Sequence, residues 1–268
     1  MVLRFKYFDY QNKESGMNST IETLLNHRSI REMIPEALDE QVVELLFNTA
    51  MRTATSNGMQ RYSIIRITDP ELKAEFATLC NQDYINRVPL LMVFVADCYR
   101  NARLAYEQGV EEAMHEHIDK FIEGFTDSNL AAQSMVVAAE SLGLGTFYIG
   151  SVLNDARKVI QLLNLPKLTM PVVGLAIGQP NQSPNLKPRM HQQFRVFENG
   201  YKTFDNYLER LKDYDADMQT YYDLRNTNQR MDAFSKQVVT KYHAQNPVRQ
   251  AYLNVLQEQG FDLHLKAK

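Results

Sequence analysis

The run His27-Arg28-Ser29-Ile30-Arg31 puts three anion-binding side chains, Arg28, Ser29 and Arg31, beside a histidine. Arginine offers a planar fork of N–H donors that matches phosphate oxygens, and a serine hydroxyl adds a short bond. If the chain is extended here, alternation turns Arg28 away from His27, Ser29 and Arg31. The alternative is that these cations only complement the C-terminus of a preceding helix. A second basic pair, Lys187-Pro188-Arg189, lies far along the chain. Pro188 removes a backbone donor and stiffens the link, so both cations keep limited freedom. The two clusters could converge on one phosphate; a solvated charged loop is the competing interpretation of the second.

Ser141-Leu-Gly-Leu-Gly-Thr-Phe-Tyr-Ile-Gly-Ser151 resembles a dinucleotide fingerprint only superficially. Tyr148 occupies the third glycine position, and the run follows a helix where the Rossmann turn follows a strand. It is better taken as a helix stop and then a strand whose backbone approaches something flat, with Gly150 and Ser151 leaving room for a ring. Thr53–Gln60 is a small polar loop able to bind a ring edge or a polyol chain, or to be plain surface. In Met114-His115-Glu116-His117 the i, i+2 spacing puts the histidines on different helix faces, so no metal site is expected. There is no G-x-S-x-G elbow, no Walker A loop and no C-x-x-C.

Hydrophobic periodicity gives the elements that must position these residues. Ser19 and Glu22 have capping-box spacing ahead of a helix with an Ile21, Leu24, Leu25 stripe. A second helix starts at Asp39 and buries Val42, Leu45, Leu46 and Ala50. Strands are expected at Ser63–Ile67, Leu90–Ala96, Phe147–Ile149 and Pro171–Ile177. Helices are expected from Asp69-Pro70, over Tyr99–Gly124, over Ser128–Leu142 with Gly143 as its stop, and over Asp155–Leu163. On the third of these, Leu130, Ala131, Ser134, Val137, Ala138 and Leu142 share a face. A polar loop spans Gln179–Pro188, and helices follow near Lys202–Lys212, Asp232–His243 and Val248–Gln259. Irregular mixing of helices and strands indicates α+β.

Hydrophobic residues make up 44% of the 268, enough for a full core. The net charge of -3 gives no electrostatic reason to expect nucleic acid or an anionic membrane as partner. No apolar run is long enough to span a bilayer. Cys80 and Cys98 suit thiols in a reducing cytoplasm, and residues 1–16 make a poor signal peptide. Residues 1–16 are therefore expected to be an N-terminal extension, with Met17 as a possible start, and 17–268 one domain whose helical C-terminal excursion begins at about 200.

Four pieces occur in a fixed order: His27–Arg31, the loop Thr53–Gln60, Glu140–Gly150 and Gly178–Arg189. In that order they resemble the FMN-dependent nitroreductase family, of the oxygen-insensitive NADPH nitroreductase and flavin reductase P type, from about Met17 to the C-terminus. The resemblance implies a nitroreductase-like α+β fold, with a central, mostly antiparallel sheet flanked by helices, in an intertwined homodimer holding FMN at the subunit interface. It implies that His27, Arg28 and Ser29 hold the FMN phosphate together with Lys187 and Arg189. Arg31 would stabilise charge on the reduced ring. Thr55, Ser56, Asn57 and Gln82 would meet the ribityl chain or ring, and Tyr148, Ile149, Gly150 and Ser151 would lie along it. Arg225 and Arg230 would recognise the NADPH 2′-phosphate. The implied reaction is ping-pong: NADPH passes hydride to flavin N5, then a small oxidised acceptor (a nitroaromatic, quinone or flavin) takes two electrons, with no side chain as nucleophile. A flavin reductase serving a partner, or a non-catalytic flavin sensor, are the alternatives. Leu153, where this group commonly has arginine, and Gly58, where a larger apolar residue can stand, bear on acceptor preference.

Overall fold

The computed structural model describes residues 18–110, 117–223, 229–244 and 246–263. The N-terminal extension, Met17, Met114–Glu116 and Arg225 lie outside them. The chain begins with α1 (Ser19–Leu25), α2 (Glu40–Met51), β1 (Tyr62–Ile67), α3 (Pro70–Cys80), β2 (Leu90–Asp97) and α4 (Tyr99–Glu107). It continues through α5 (Ile118–Ser141), β3 (Gly145–Ile149), α6 (Ala156–Leu162) and β4 (Thr169–Gly178). The C-terminal part holds α7 (Tyr207–Arg210), α8 (Lys212–Thr220), a ribbon of β5 (Tyr222–Asp223) and β6 (Gln229–Arg230), α9 (Phe234–His243), α10 (Pro247–Gln250) and α11 (Tyr252–Glu258).

The main sheet runs β1-β2-β4-β3, every neighbour antiparallel. β2 is buried along its whole length, as its continuous apolar run requires. One sheet face, with Leu91, Val93, Phe147 and Ala176, packs on α3 through Phe76 and Cys80. The other, with Leu90, Met92, Phe94 and Leu175, packs on α2 and α5. Ala131, Ala132 and Ala139 line the inner side of α5. Their small side chains let the helix lie close to the sheet. α11 docks separately on the start of β4 through Val255, Leu256 and Met170, and Leu168 N–H donates to Gln259 O at 2.7 Å.

Several expectations shift. The N-cap of α1 is Asn18, whose Oδ1 accepts from Ile21 N–H at 3.0 Å; Ser19 is the first helical residue. The expected α1 stripe is not buried: Ile21, Leu24 and Leu25 are 42%, 48% and 50% exposed. α2 buries Val43, Leu46 and Ala50 and leaves Leu45 outside. α5 buries Ala131, Met135 and Ala139 and leaves Leu130 and Leu142 exposed. On α2 and α5 the apolar arc is wider than the surface that packs on it, so periodicity alone misplaces its centre, whereas α1 buries none of its residues. The helix expected over Tyr99–Gly124 ends early, because Gly109 takes a positive φ of 87° and closes it with a bond from Gly109 N–H to Tyr106 O. α5 then begins ten residues before the expected start. The ribbon β5–β6 has strands too short for any periodic signal.

Candidate active site

After α1 the chain straightens and is stitched to two neighbours. Ser29 bridges Thr146 in parallel and Ile30 N–H donates to Thr146 O at 2.8 Å. Met33 bridges Pro180 antiparallel, Ile34 N–H donates to Gln179 O at 2.9 Å, and Asn181 N–H donates to Glu32 O at 2.9 Å. Two glycines permit this closeness. Gly145 and Gly178 face each other across β3 and β4. A Cβ on Gly145 would lie 2.7 Å from Ile30 Cβ, and one on Gly178 2.9 Å from Met33 Sδ. The loop leaving β4 is therefore tied to the basic segment, and it carries Lys187 and Arg189 back to it.

The result is a cavity of about 120 Å³ lined by His27, Arg28, Ser29, Arg31, Lys187 and Arg189. The two basic clusters, distant in sequence, share one small space, and no carboxylate lines it among the described residues. Arg28 Nε is buried without a hydrogen-bond partner. A guanidinium N–H left so is costly unless a ligand accepts from it. Strict alternation expected Arg28 to face away. Instead it lines both this cavity and an adjoining one of about 460 Å³, which its long side chain reaches from the turn after α1. Tyr221 completes the wall, its ring 6.0 Å from Lys187 Nζ. The β5–β6 ribbon starts there, and Met231 N–H donates to Tyr221 O at 2.9 Å.

The other candidates fall into separate groups. Tyr148 and Ile149 end β3, and a helical turn over Gly150–Leu153 follows. Ile149 is core, Tyr148 OH donates to Gln133 Oε1 at 3.0 Å, and a Cβ on Gly150 would meet nothing. Burial, helped by the Glu140 carboxylate, holds the Tyr148 phenol above its ordinary pKa. Ser151 Oγ accepts from Gln82 Nε2 at 2.9 Å, and Gln82 Oε1 accepts from Tyr84 OH at 2.8 Å. Burial pushes the nearby Cys80 thiol up, with the Ser151 hydroxyl pulling the other way. Thr55, Ser56 and Asn57 sit elsewhere: the fully buried Asp127 accepts from Ser56 N–H at 2.8 Å through Oδ1, and Asn57 Nδ2 donates to Glu123 Oε1 at 3.4 Å. Asp127 and Glu140 lie thirteen residues apart on α5, about 20 Å at 1.5 Å per residue. One chain thus does not gather this loop and the cationic cavity into one space. Arg230 is exposed at the end of the ribbon, where its Nε donates to Gln219 O. Gly58 takes a φ of 70° and has open space at its Cβ, and Leu153 packs against the core.

Two residues of the site escaped the sequence reading. Glu140 Oε1 accepts from both His27 Nδ1 and Thr146 Oγ1, each at 2.7 Å. Its signal was present: an acid in the last turn of a helix opposes the dipole there and needs a reason. Asp127, in an otherwise apolar and small-residue helix face, was the other such anomaly.

The family model described as "Nitroreductase family" matches residues 24–179, and "Nitroreductase family, C-terminal domain" matches 187–264. The chain is 38% identical to the FMN reductase (NADPH) of Bacillus subtilis, covering 92% of this chain and 99% of that one. It is 35% identical to the oxygen-insensitive NADPH nitroreductase of Salmonella typhimurium, covering 91% and 99%. A solved structure, the NADPH:FMN oxidoreductase of Vibrio harveyi complexed with NAD+, superposes with a TM-score of 0.80 at 32% identity, covering 91% and 99%. With its glycine-bounded sheet edge drawing two basic clusters together and both family models matched, this chain belongs to the nitroreductase family.

Proposed function

We infer that the protein is an FMN-dependent NADPH oxidoreductase that reduces small oxidised acceptors by two electrons in ping-pong fashion. The observation that carries this reading is a cationic cavity that gathers Arg28, Lys187 and Arg189 with no carboxylate on its wall among the described residues. FMN fits that site through its phosphate: Arg28, Lys187 and Arg189 would neutralise it, with His27 and Ser29 adding hydrogen bonds. When bound, FMN supplies the capacity to accept a hydride and pass two electrons on. The protein's residues orient and stabilise. Arg31, on the same segment, offers a positive charge against the negative charge that reduction creates. Gly150 leaves the approach to β3 unobstructed. Arg225 and Arg230 would bind the NADPH 2′-phosphate.

A homodimer belongs to the same reading. Thr55–Asn57 and the cationic cavity are held apart within one chain, so a second copy is needed to bring the first to the second. The apolar residues left outside support it: Leu24 and Leu25 on α1, Leu45 on α2 and Leu130 on α5. Sedimentation at the mass of two chains checks it, and a monomer that binds FMN fully would refute it. A single domain over 17–268 and a cytoplasmic setting complete the proposal. Cys80 and Cys98 are buried thiols, and among the described residues no helix is long and apolar enough to cross a membrane.

The test is spectroscopic. Purified protein should be yellow. NADPH should bleach it anaerobically much faster than NADH does, and a quinone should restore the colour. Arg225→Ala should raise the NADPH KM by about tenfold or more and leave bound FMN unchanged. An unaltered KM would remove Arg225 from the site.

A further inference from the structure

Glu140 occupies the last turn of α5, where aligned peptide dipoles already concentrate negative charge. Its side chain is only 13% exposed. A carboxylate so placed calls for a compensating positive charge. What reaches it is a hydroxyl, Thr146 Oγ1, and an imidazole nitrogen, His27 Nδ1. Among the described residues no hydrogen bond is made by the other nitrogen of that ring, Nε2, and His27 lines the cationic cavity. A neutral imidazole with its proton on Nδ1 would turn a bare Nε2 lone pair toward phosphate oxygens, which repel it.

We propose that Glu140 is a positioning residue for the flavin phosphate, holding His27 as a doubly protonated imidazolium whose Nε2–H donates to that phosphate. His27 then joins Arg28, Arg31, Lys187 and Arg189 as a fifth cation of the cavity. The proposal rests on the reading of this cavity as the FMN phosphate site. Every element around His27 enters the balance. Arg28 and Arg31 on its own segment, and Lys187 and Arg189 on the loop after β4, oppose a further positive charge. Glu140 from α5 favours it in direct contact, and Glu22 from α1 faces the adjoining cavity alongside Arg28 and Glu140. The phosphate dianion adds the remaining negative charge when it binds.

The experiment is FMN titration of the full-length chain at several pH values, wild type against Glu140→Gln. Glutamine keeps an acceptor for both donors and removes only the charge. The ratio of the Glu140→Gln dissociation constant to that of wild type should be near one at about pH 6 and rise to about tenfold near about pH 8. The phosphate's own second ionisation affects both proteins alike and cancels in the comparison. Superimposable pH profiles overturn the proposal. Should Glu140→Gln fail to fold, nitrogen-15 NMR of the FMN-bound wild type near about pH 8, with His27 assigned through His27→Asn, decides the matter. Protons on both ring nitrogens support the proposal, and a bare Nε2 overturns it. Arg28→Ala separates the two levels of the claim. If it weakens FMN binding while Glu140→Gln keeps the wild-type profile, the cavity reading stands and this proposal falls. If Arg28→Ala binds FMN as wild type does, the cavity reading fails and the proposal with it.

Discussion

Arg28→Ala is expected to release FMN without harming the fold. Arg28 is half-buried, so truncating it should fall at the lower end of the roughly 2–5 kcal/mol that loss of a desolvated charge partner costs, and the FMN dissociation constant should rise by roughly 30-fold or more. The flavin-free protein should respond in the opposite sense. Arg28 is half-buried and its Nε is buried without a hydrogen-bond partner, so desolvating that one N–H costs free energy in the flavin-free chain. Removing it should leave the melting temperature of the flavin-free chain unchanged or slightly raised, while the stabilisation that FMN confers should largely disappear. Differential scanning calorimetry with and without FMN reads both effects. A fall in the flavin-free melting temperature with FMN binding intact would mean that Arg28 serves the fold.

Gly145→Val should injure fold and site together. Its Cβ would lie 2.7 Å from Ile30 Cβ, in a strand pair with little room to yield. Overpacking of this kind costs about 1–3 kcal/mol. At this chain length that lowers the melting temperature by roughly 2–4 °C for each kcal/mol. The clash also strikes the contact that registers the basic segment, where Ile30 N–H meets Thr146 O. FMN affinity should therefore fall although residue 145 is not expected to touch the cofactor. Ile30→Ala keeps the opposing Cβ but removes Cγ2, which would lie equally close at 2.7 Å, so the double mutant should recover part of both losses, the non-additivity expected of neighbours in contact. Purely additive losses would place the damage elsewhere.

The chemistry was more legible in the sequence than the packing. The two basic clusters announce themselves because a phosphate dianion needs charged, forked donors, and such residues are conspicuous in a chain of near-neutral balance. Their convergence was not derivable from spacing, since it depends on Gly145 and Gly178 being absent side chains at a sheet edge. Strand positions came through well. β2 is apolar from Leu90 to Ala96 because it is covered on both faces, and no polar alternation competes with that pattern. The buried faces of α2 and α5 were misplaced because Leu45, Leu130 and Leu142 belong to arcs wider than the single-chain core. Glu140 and Asp127 were overlooked for a different reason: each is a lone acid whose role exists only through partners more than sixty residues away or across a helix–strand turn.

The central claim is that the cavity lined by Arg28, Lys187 and Arg189 grips a flavin by its phosphate. Comparing FMN with riboflavin tests this most directly, because the two ligands differ only by that group. Titrated into the flavin-free chain, FMN should bind at least about 100-fold more tightly than riboflavin, and that ratio should shrink steeply with added salt. Equal affinities for the two flavins would contradict the claim, since a cavity lined by Arg28, Lys187 and Arg189 cannot be indifferent to a dianion placed inside it.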